Sequence, residues 1–282
     1  MEEIVEKKEK DPLIPFLQSP EMFLPHFRHV PNDILTRGYA IVSSLITEDE
    51  CQQALDLMWD FVQDVSGNVV QKDDPKSWYP VGSLNPIEIP NNATSTQSNI
   101  PKAQDPWPHT GYTYNLFPDM FQSLGAGYLL GPIRQLMAER LFEHLFGRKE
   151  LHASKEGFTF ARPTQISIQN QIHSWNRSEH SADVKICGKI QEVSLREHYD
   201  QSHDTNGLFT IQSSVTFIDQ GEECGDGHFV CYPNSHSDVH SSVTKDINEE
   251  GTKAEHIYAK AGDVILWRSD FSLCSSSTWR DD

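Results

Sequence analysis

The chain has 282 residues, 37% of them apolar, and its 41 acidic and 23 basic side chains give a formal net charge of −18. A chain of this length forms one large domain or two small ones and buries a substantial core. The negative charge, without any run of Lys and Arg, argues against the electrostatic surface with which proteins bind nucleic-acid phosphates. We therefore expect no nucleic-acid partner.

The composition also predicts where the protein works. No segment approaches the roughly 18 consecutive apolar residues of a membrane-spanning helix. The N-terminal MEEIVEKKEKD is charged where a signal peptide would be apolar. The 5 cysteines are scattered without a C-x-x-C pair, which disfavours a disulfide framework and a thiolate zinc site. We expect an intracellular, cytoplasmic protein with reduced thiols and no membrane span; its oligomeric state stays open.

Residues 1 to about 30 are first charged and then interrupted by four prolines, Pro12, Pro15, Pro20 and Pro25, which predicts an extended N-terminal arm over residues 1–33. A single domain is expected over residues 34–282. Its first strand is GYAIVSSLI, directly before the first helix.

Two helices have clear boundaries. Thr47 and Glu50 form a T-x-x-E capping box ahead of a helix near 48–65. A second apolar stripe at helical spacing predicts a helix over 132–146 that ends at Gly147. Between them, residues 68–115 are rich in Pro, Asn, Ser and Thr, which predicts a long loop. Such a loop is well placed to shape a substrate entrance.

From Gly157 onward the sequence is typical of short strands separated by turns. The clearest is 208–219, where apolar and polar residues alternate. Many short strands without helices between them indicate a sandwich or barrel, so the predicted class is mainly β with flanking helices, α+β. The other candidates are GFTFARP, QISIQNQI, a run from Val193 to Asp200, HFVCYP and HIYAKAGDVILW.

The motif H-x-D at His198 and Asp200 carries the main chemical signal. On a strand, residues two apart leave the same face, so this imidazole and carboxylate could bind one metal ion. A His and an Asp are two members of the 2-His-1-carboxylate triad that holds non-haem Fe(II). A surface polar pair is the alternative, and spacing alone favours it, since a second H-x-D occurs at His236 and Asp238.

The order of several motifs along the chain favours a metal-binding pair over a surface polar pair. In order, the chain has GYAIV, GFTFARP, HYDQ, a strand ending in FID, PNSH and AGDVILW. This series resembles the phytanoyl-CoA dioxygenase family over about residues 35–280. The resemblance implies a double-stranded β-helix, or jelly roll, that uses Fe(II) and the cosubstrate 2-oxoglutarate to hydroxylate an aliphatic carbon. It also implies that His198 and Asp200 are the catalytic iron ligands and that His236 has a structural role beside them.

Two departures from the family pattern stand out. Leu273 aligns with the family's distal metal-binding His, and a leucine has no electron pair to donate. Either His256 or a water molecule would then complete the metal shell, and an ordinary strand histidine is the favoured interpretation of His256. The family's 2-oxoglutarate-binding Arg would lie on a later strand, but SSSTWRDD lacks the alternation of a strand. Arg280 is the remaining candidate anchor, with an exposed arginine as the alternative.

Three functions follow from these patterns. The first is a non-haem Fe(II)/2-oxoglutarate dioxygenase. The second is a catalytically impaired or vestigial member of the same fold that acts as a binding protein. The third, a structural or carbohydrate-binding jelly roll, lacks a supporting set of alternating aromatic residues. The expected substrate is a small molecule or lipid, because a net charge of −18 suits a polyanionic CoA ester poorly.

Overall fold

The computed structural model has an α+β fold with small antiparallel sheets, which confirms the predicted mixed class. Its contacts group into two units, one of residues 1–55, 131–154 and 194–282, the other of residues 56–130 and 155–193. That one domain spans 34–282 stays a prediction. The structure describes residues 17–19, 23–82, 84–86, 106–108, 120–121, 125–154, 157–160, 162, 165–168, 171–174, 198–200, 210–221, 228–237 and 254–276.

The helices agree closely with the sequence signals. The helices are α1 His29–Thr36, α2 Glu48–Val65, α3 Ala126–Leu129, α4 Gly131–Met137 and α5 Glu143–Phe146, with a π-helical segment Ala138–Phe142 between the last two. The helix expected near 48–65 is confirmed, and the one over 132–146 is confirmed with an irregular middle. None of the helices in the described part of the chain is long and apolar enough to cross a bilayer.

Helix α1 begins inside the segment that was expected to be extended. Val30 and Ile34, four residues apart, are both fully buried and give this short helix an apolar face. Pro31 lies in the first turn, where its missing N–H costs no intrahelical hydrogen bond. The proline-rich composition was therefore a poor guide at residues 29–33, because packing of two apolar side chains decided the local structure.

The capping box at the start of α2 is formed as expected. The Thr47 N–H donates to Glu50 Oε2 at 2.9 Å, and the Glu50 N–H donates to Thr47 Oγ1 at 3.3 Å. Gly67 and Gly147, just beyond the two long helical segments, have φ of +66° and +63°. Both adopt the left-handed conformation that ends helices and that glycine enters without steric cost.

Among the described residues, twelve short strands form four antiparallel sheets, ordered β1-β11-β8, β10-β9-β12-β7, β2-β6-β5 and β3-β4. The strands are β1 Tyr39–Val42, β2 Asn85–Pro86, β3 Met120–Phe121, β4 Phe158–Thr159, β5 Gln165–Ile168, β6 Gln171–Ser174, β7 His198–Tyr199, β8 Ile211–Val215, β9 His228–Cys231, β10 Glu255–Ile257, β11 Val264–Arg268 and β12 Ser272–Ser276.

Several strands differ in extent from the sequence predictions. Of the strand expected over 208–219, residues 208 and 209 lie outside the described residues, and among 210–219 the strand covers Ile211–Val215. QISIQNQI folds as a hairpin, with β5 and the start of β6 paired antiparallel. Strand β12 was not predicted, because its sequence SLCSS has no apolar alternation. It exists through backbone pairing with β9 on one side and β7 on the other, which requires no particular side-chain pattern.

In the first unit, side chains from two sheets share one core. This interior cluster is built on buried Tyr39, Cys231 and Phe271. Strands β1 and β11 add Ile41 and Trp267, while β9 and β10 add Phe229 and Ile257. The three-stranded sheet β1-β11-β8 and the four-stranded sheet β10-β9-β12-β7 therefore pack face to face across apolar side chains.

The second unit has an aromatic core. Trp59 of α2 packs against Trp78 at 4.9 Å and against Phe160 at 4.5 Å between ring centroids. Trp107 is fully buried in the same group. Trp78 and Trp107 belong to the segment expected to be a long loop, whose described part includes the 3-10 turn Pro75–Trp78. The described part of this segment thus supplies residues of the aromatic core, which its polar composition did not predict.

Candidate metal centre

The register of the four-stranded sheet brings together two positions singled out by the sequence. In the antiparallel pair β12 and β7, Leu273 lies directly opposite His198. On its other side, Leu273 lies opposite Cys231 of β9, a fully buried member of the interior cluster. Positions 198, 273 and 231 therefore form one row across three strands.

Asp200 lies in a different local structure from the one expected. Strand β7 ends at Tyr199, so Asp200 lies in the following bend, and strand alternation does not set its direction. Its side chain is held by a specific contact, since Trp267 Nε1 donates to Asp200 Oδ2 at 3.1 Å. The Trp267 ring packs against Phe229 at 5.0 Å between centroids. Because Trp267 belongs to β11, this hydrogen bond ties the end of β7 to the other sheet.

The sequence analysis did not identify Trp267 as a partner of the site. In the sequence, Trp267 is the last residue of AGDVILW. A tryptophan in such an apolar run reads as a core residue, so the indole N–H was not considered as a hydrogen-bond donor to the site. A ligand carboxylate that accepts a hydrogen bond from a fixed donor is oriented by it, as in many metal sites. Arg280, the candidate cosubstrate anchor, lies outside the described residues. Within the described side chains, no group of three or more His, Cys, Asp and Glu residues is placed to hold a metal ion.

The PNSH segment has a structural role. Asn234 has φ of +68°, the left-handed region that Gly adopts freely and Asn tolerates best among other residues. Its N–H donates to the Arg37 carbonyl at 2.9 Å. His236, in the 3-10 turn Ser235–Ser237, donates from Nε2 to the Leu35 carbonyl at 3.2 Å. This contact ties His236 to the end of α1, and that His236 is not a ligand stays a prediction.

The AGD turn before β11 is likewise explained by backbone contacts. Asp263 is buried, and its carboxylate accepts from the Ser44 N–H and the Lys260 N–H, both at 2.9 Å. Gly262 has φ of +86° and lies against the Ile46 carbonyl oxygen. These contacts hold the turn against the segment after β1. The Asp263 carboxylate is therefore occupied by backbone N–H groups and is not available as a further metal ligand.

A polar group lies at one edge of the interior cluster. The Tyr39 hydroxyl donates to Glu255 Oε2, and Arg37 Nη2 donates to the same oxygen at 2.8 Å. Burial raises the pKa of the Tyr39 hydroxyl. It therefore stays protonated and serves as a donor, which satisfies the Glu255 carboxylate beside the apolar core.

His256, proposed as a substitute third ligand, is engaged elsewhere. Its Nδ1 lies 2.7 Å from Nε2 of His228 on the neighbouring strand β9. Its strand neighbour Ile257 packs on the interior cluster, so alternation places His256 on the other face of the sheet. This face is not the one that carries Cys231 of the 198-273-231 row. Sequence reasoning missed the His228 contact because it depends on the pairing of β9 with β10.

Comparisons with family models, with curated proteins and with solved structures find no match for this chain.

Proposed function

We propose that the protein is an Fe(II)- and 2-oxoglutarate-dependent dioxygenase of the phytanoyl-CoA dioxygenase type, which hydroxylates an aliphatic carbon of a small molecule or lipid. The observation that carries this proposal is the pairing of Leu273 with His198. The family's distal His and the His of its H-x-D motif must be close enough to share one ion. The two corresponding positions here, 75 residues apart in sequence by their numbering, are direct neighbours in the sheet.

The strand order supports a jelly roll. Strand β7 belongs to the four-stranded sheet, β8 to the three-stranded sheet, β9 and β10 to the former, β11 to the latter and β12 to the former. Successive strands that cross between two antiparallel sheets are the pattern of Greek-key and jelly-roll folds. The side chains shared between the two sheets supply the core that such a fold needs.

The residues fit an iron site in part. His198 and Asp200 supply the imidazole and carboxylate that non-haem Fe(II) prefers, and the Trp267 indole orients the carboxylate. Leu273 supplies no donor, so water would complete the shell and the ion would be held more weakly. Bound Fe(II) would supply, with 2-oxoglutarate and O2, the oxidising power for an unactivated C–H bond. The protein's own contribution is the apolar surroundings of the site, since Trp267, which donates to Asp200, packs with Phe229 on the interior cluster.

Leu273 favours a second candidate function. Without the third protein ligand, the protein would be a catalytically impaired member of the fold that binds a metabolite or lipid without oxidising it. The two functions make different predictions about the same two measurements, namely Fe(II) binding and turnover of 2-oxoglutarate.

The test is an anaerobic Fe(II) titration followed by measurement of succinate formed from 2-oxoglutarate in air. The dioxygenase proposal predicts one bound Fe(II) and slow succinate formation, both lost in His198→Ala. The matched control is His152→Ala, which removes an exposed histidine and is expected to change neither. Fe(II) binding without succinate would replace the first function by the second. No Fe(II) binding at high micromolar concentration would overturn the dioxygenase proposal.

A further inference from the structure

Two histidines from neighbouring strands meet at the edge of the four-stranded sheet. His228 Nε2 and His256 Nδ1 are 2.7 Å apart, although the residues are 28 positions apart in the chain. The Tyr258 ring lies 4.4 Å from the His228 ring between centroids. We call His228 and His256 the histidine pair.

The pair lies on the side of the sheet that faces away from the interior cluster. Phe229 and Ile257, which are opposite each other in the register, both pack into that cluster. Side chains alternate along a strand, so the residues on either side of them leave from the other face. His256 is exposed and His228 half-buried. The pair is therefore open to solvent and separate from the candidate iron site.

We propose that the histidine pair binds one divalent late transition-metal ion, Zn(II) or Cu(II). Imidazole nitrogens are preferred ligands of both ions. With metal–nitrogen bonds of about 2.0 to 2.1 Å, two ligands on one ion lie about 2.9 to 3.4 Å apart. The observed separation of 2.7 Å, with the ring centroids 5.0 Å apart, means that the two nitrogens point at each other in a hydrogen bond. To admit the ion, the rings need to turn so that both lone pairs converge on one point beside this line.

We expect water at the remaining coordination positions. No set of three or more His, Cys, Asp and Glu side chains in the described part of the chain could hold a metal ion. A site with two protein ligands is weaker than a four-ligand structural zinc site, and Cu(II) binds it more tightly than Zn(II). Both coordinating nitrogens must be unprotonated, so protons compete with the metal ion for the histidine pair.

We expect the bound ion to stabilise the pairing of the edge strand β10 with β9. Strand β10 has three residues and, within the described part of the chain, pairs with β9 at the end of the sheet. A metal bridge between His228 and His256 requires these two strands to be paired, so the ion binds the folded state. Metal binding then stabilises the folded state by mass action.

The test is titration of the full-length protein with Zn(II) by calorimetry. The single-histidine variants described next are made both in the wild-type chain and in His198→Ala. The result then does not depend on the candidate iron site. One Zn(II) is expected in the His198→Ala background, with affinity at least about tenfold weaker after His228→Ala or His256→Ala. His152→Ala, which removes an exposed histidine, keeps the wild-type affinity. Equal affinity in all these variants would overturn the proposal.

A second measurement guards against variants that fold poorly. His256→Gln keeps a polar side chain at the position but removes the imidazole. In the His198→Ala background, Zn(II) is expected to raise the Tm of the chain with the histidine pair and of its His152→Ala variant and to leave the Tm of its His256→Gln variant unchanged. With Cu(II), electron paramagnetic resonance is expected to show two coordinating nitrogens in the wild type and one in the variant. An identical Cu(II) spectrum in His256→Gln would contradict the proposal.

Discussion

Leu273 and His198 are directly paired across strands β12 and β7. A hydrocarbon side chain thus occupies the position next to the histidine of the H-x-D motif. The relationship depends on the register of the two strands. A slip by one residue would place Ser272 or Cys274 opposite His198 and would move Leu273 to the other face of the sheet. The pairing therefore gives a direct way to examine the proposed iron site.

We expect Leu273→His to strengthen Fe(II) binding at least about tenfold, which corresponds to about 1.4 kcal/mol. The new imidazole would supply the third donor that the facial triad requires. The control is Leu273→Ala, which removes the leucine without adding a donor and should give no gain. Both are measured by anaerobic Fe(II) titration. If Leu273→His binds no more tightly than Leu273→Ala, positions 198 and 273 do not share a metal ion.

The Trp267 indole gives a second prediction. Trp267→Phe keeps an aromatic ring against Phe229 but removes the N–H that donates to Asp200. Fe(II) affinity should fall by about tenfold, the lower end of the effect of outer-shell partners. Trp78→Phe is the matched control, since it removes an indole donor that bonds the Gln71 carbonyl instead. Equal losses in both variants would mean that the Asp200 contact has no role in metal binding.

The Glu50 carboxylate predicts a pH dependence of stability. Arg140 donates to its two oxygens at 2.7 Å each, and this contact lowers the pKa of Glu50 from 4.5 to about 2. A lowered pKa means that the folded state favours the ionised form, so this stabilisation is complete above about pH 4.5 and is lost as the pH falls toward 2.

Glu50→Gln should therefore cost about 1 kcal/mol at neutral pH and almost nothing near pH 2. The glutamine can still accept from the Thr47 N–H, so the capping box is kept. Thr47→Ala weakens the helix cap instead and should cost about 1 kcal/mol. It should leave the fall in the free energy of unfolding toward acid pH unchanged, because the contact of Arg140 with Glu50 remains. Urea unfolding between pH 2 and pH 7 measures both. If Glu50→Gln costs the same free energy of unfolding at every pH in that range, the contact with Arg140 does not favour the ionised form of Glu50.

Two glycines with positive φ are expected to differ sharply in their tolerance of alanine. A Cβ at Gly262 would lie 2.0 Å from the Ile46 carbonyl oxygen, whereas a Cβ at Gly67 would meet nothing within 4 Å. Gly67→Ala should cost about 1 kcal/mol for the left-handed backbone alone. Gly262→Ala adds the steric clash and should cost at least about 3 kcal/mol. Urea unfolding of both variants decides this, and similar costs would be evidence against the tight turn.

The helices were predictable because their signals are local. The capping box of Thr47 and Glu50 and the stop at Gly67 lie within one or two turns of the residues that they organise. The same applies to the chemical identities at the candidate site. That position 198 carries an imidazole and position 273 a hydrocarbon is read from the sequence alone, and it already defines which ligand the proposed facial triad would lack.

Tertiary structure alone decided which of these residues meet. Strand β12 has no apolar alternation and forms because β9 and β7 offer it backbone hydrogen bonds. The hydrogen bond from Trp267 to Asp200 and the contact of His228 with His256 also join distant segments. Such pairings depend on register, which is chosen by the burial of the whole interior cluster and not by any residue's neighbours in sequence. The sequence determined the chemistry that each position can offer, and long-range packing determined which positions can act together.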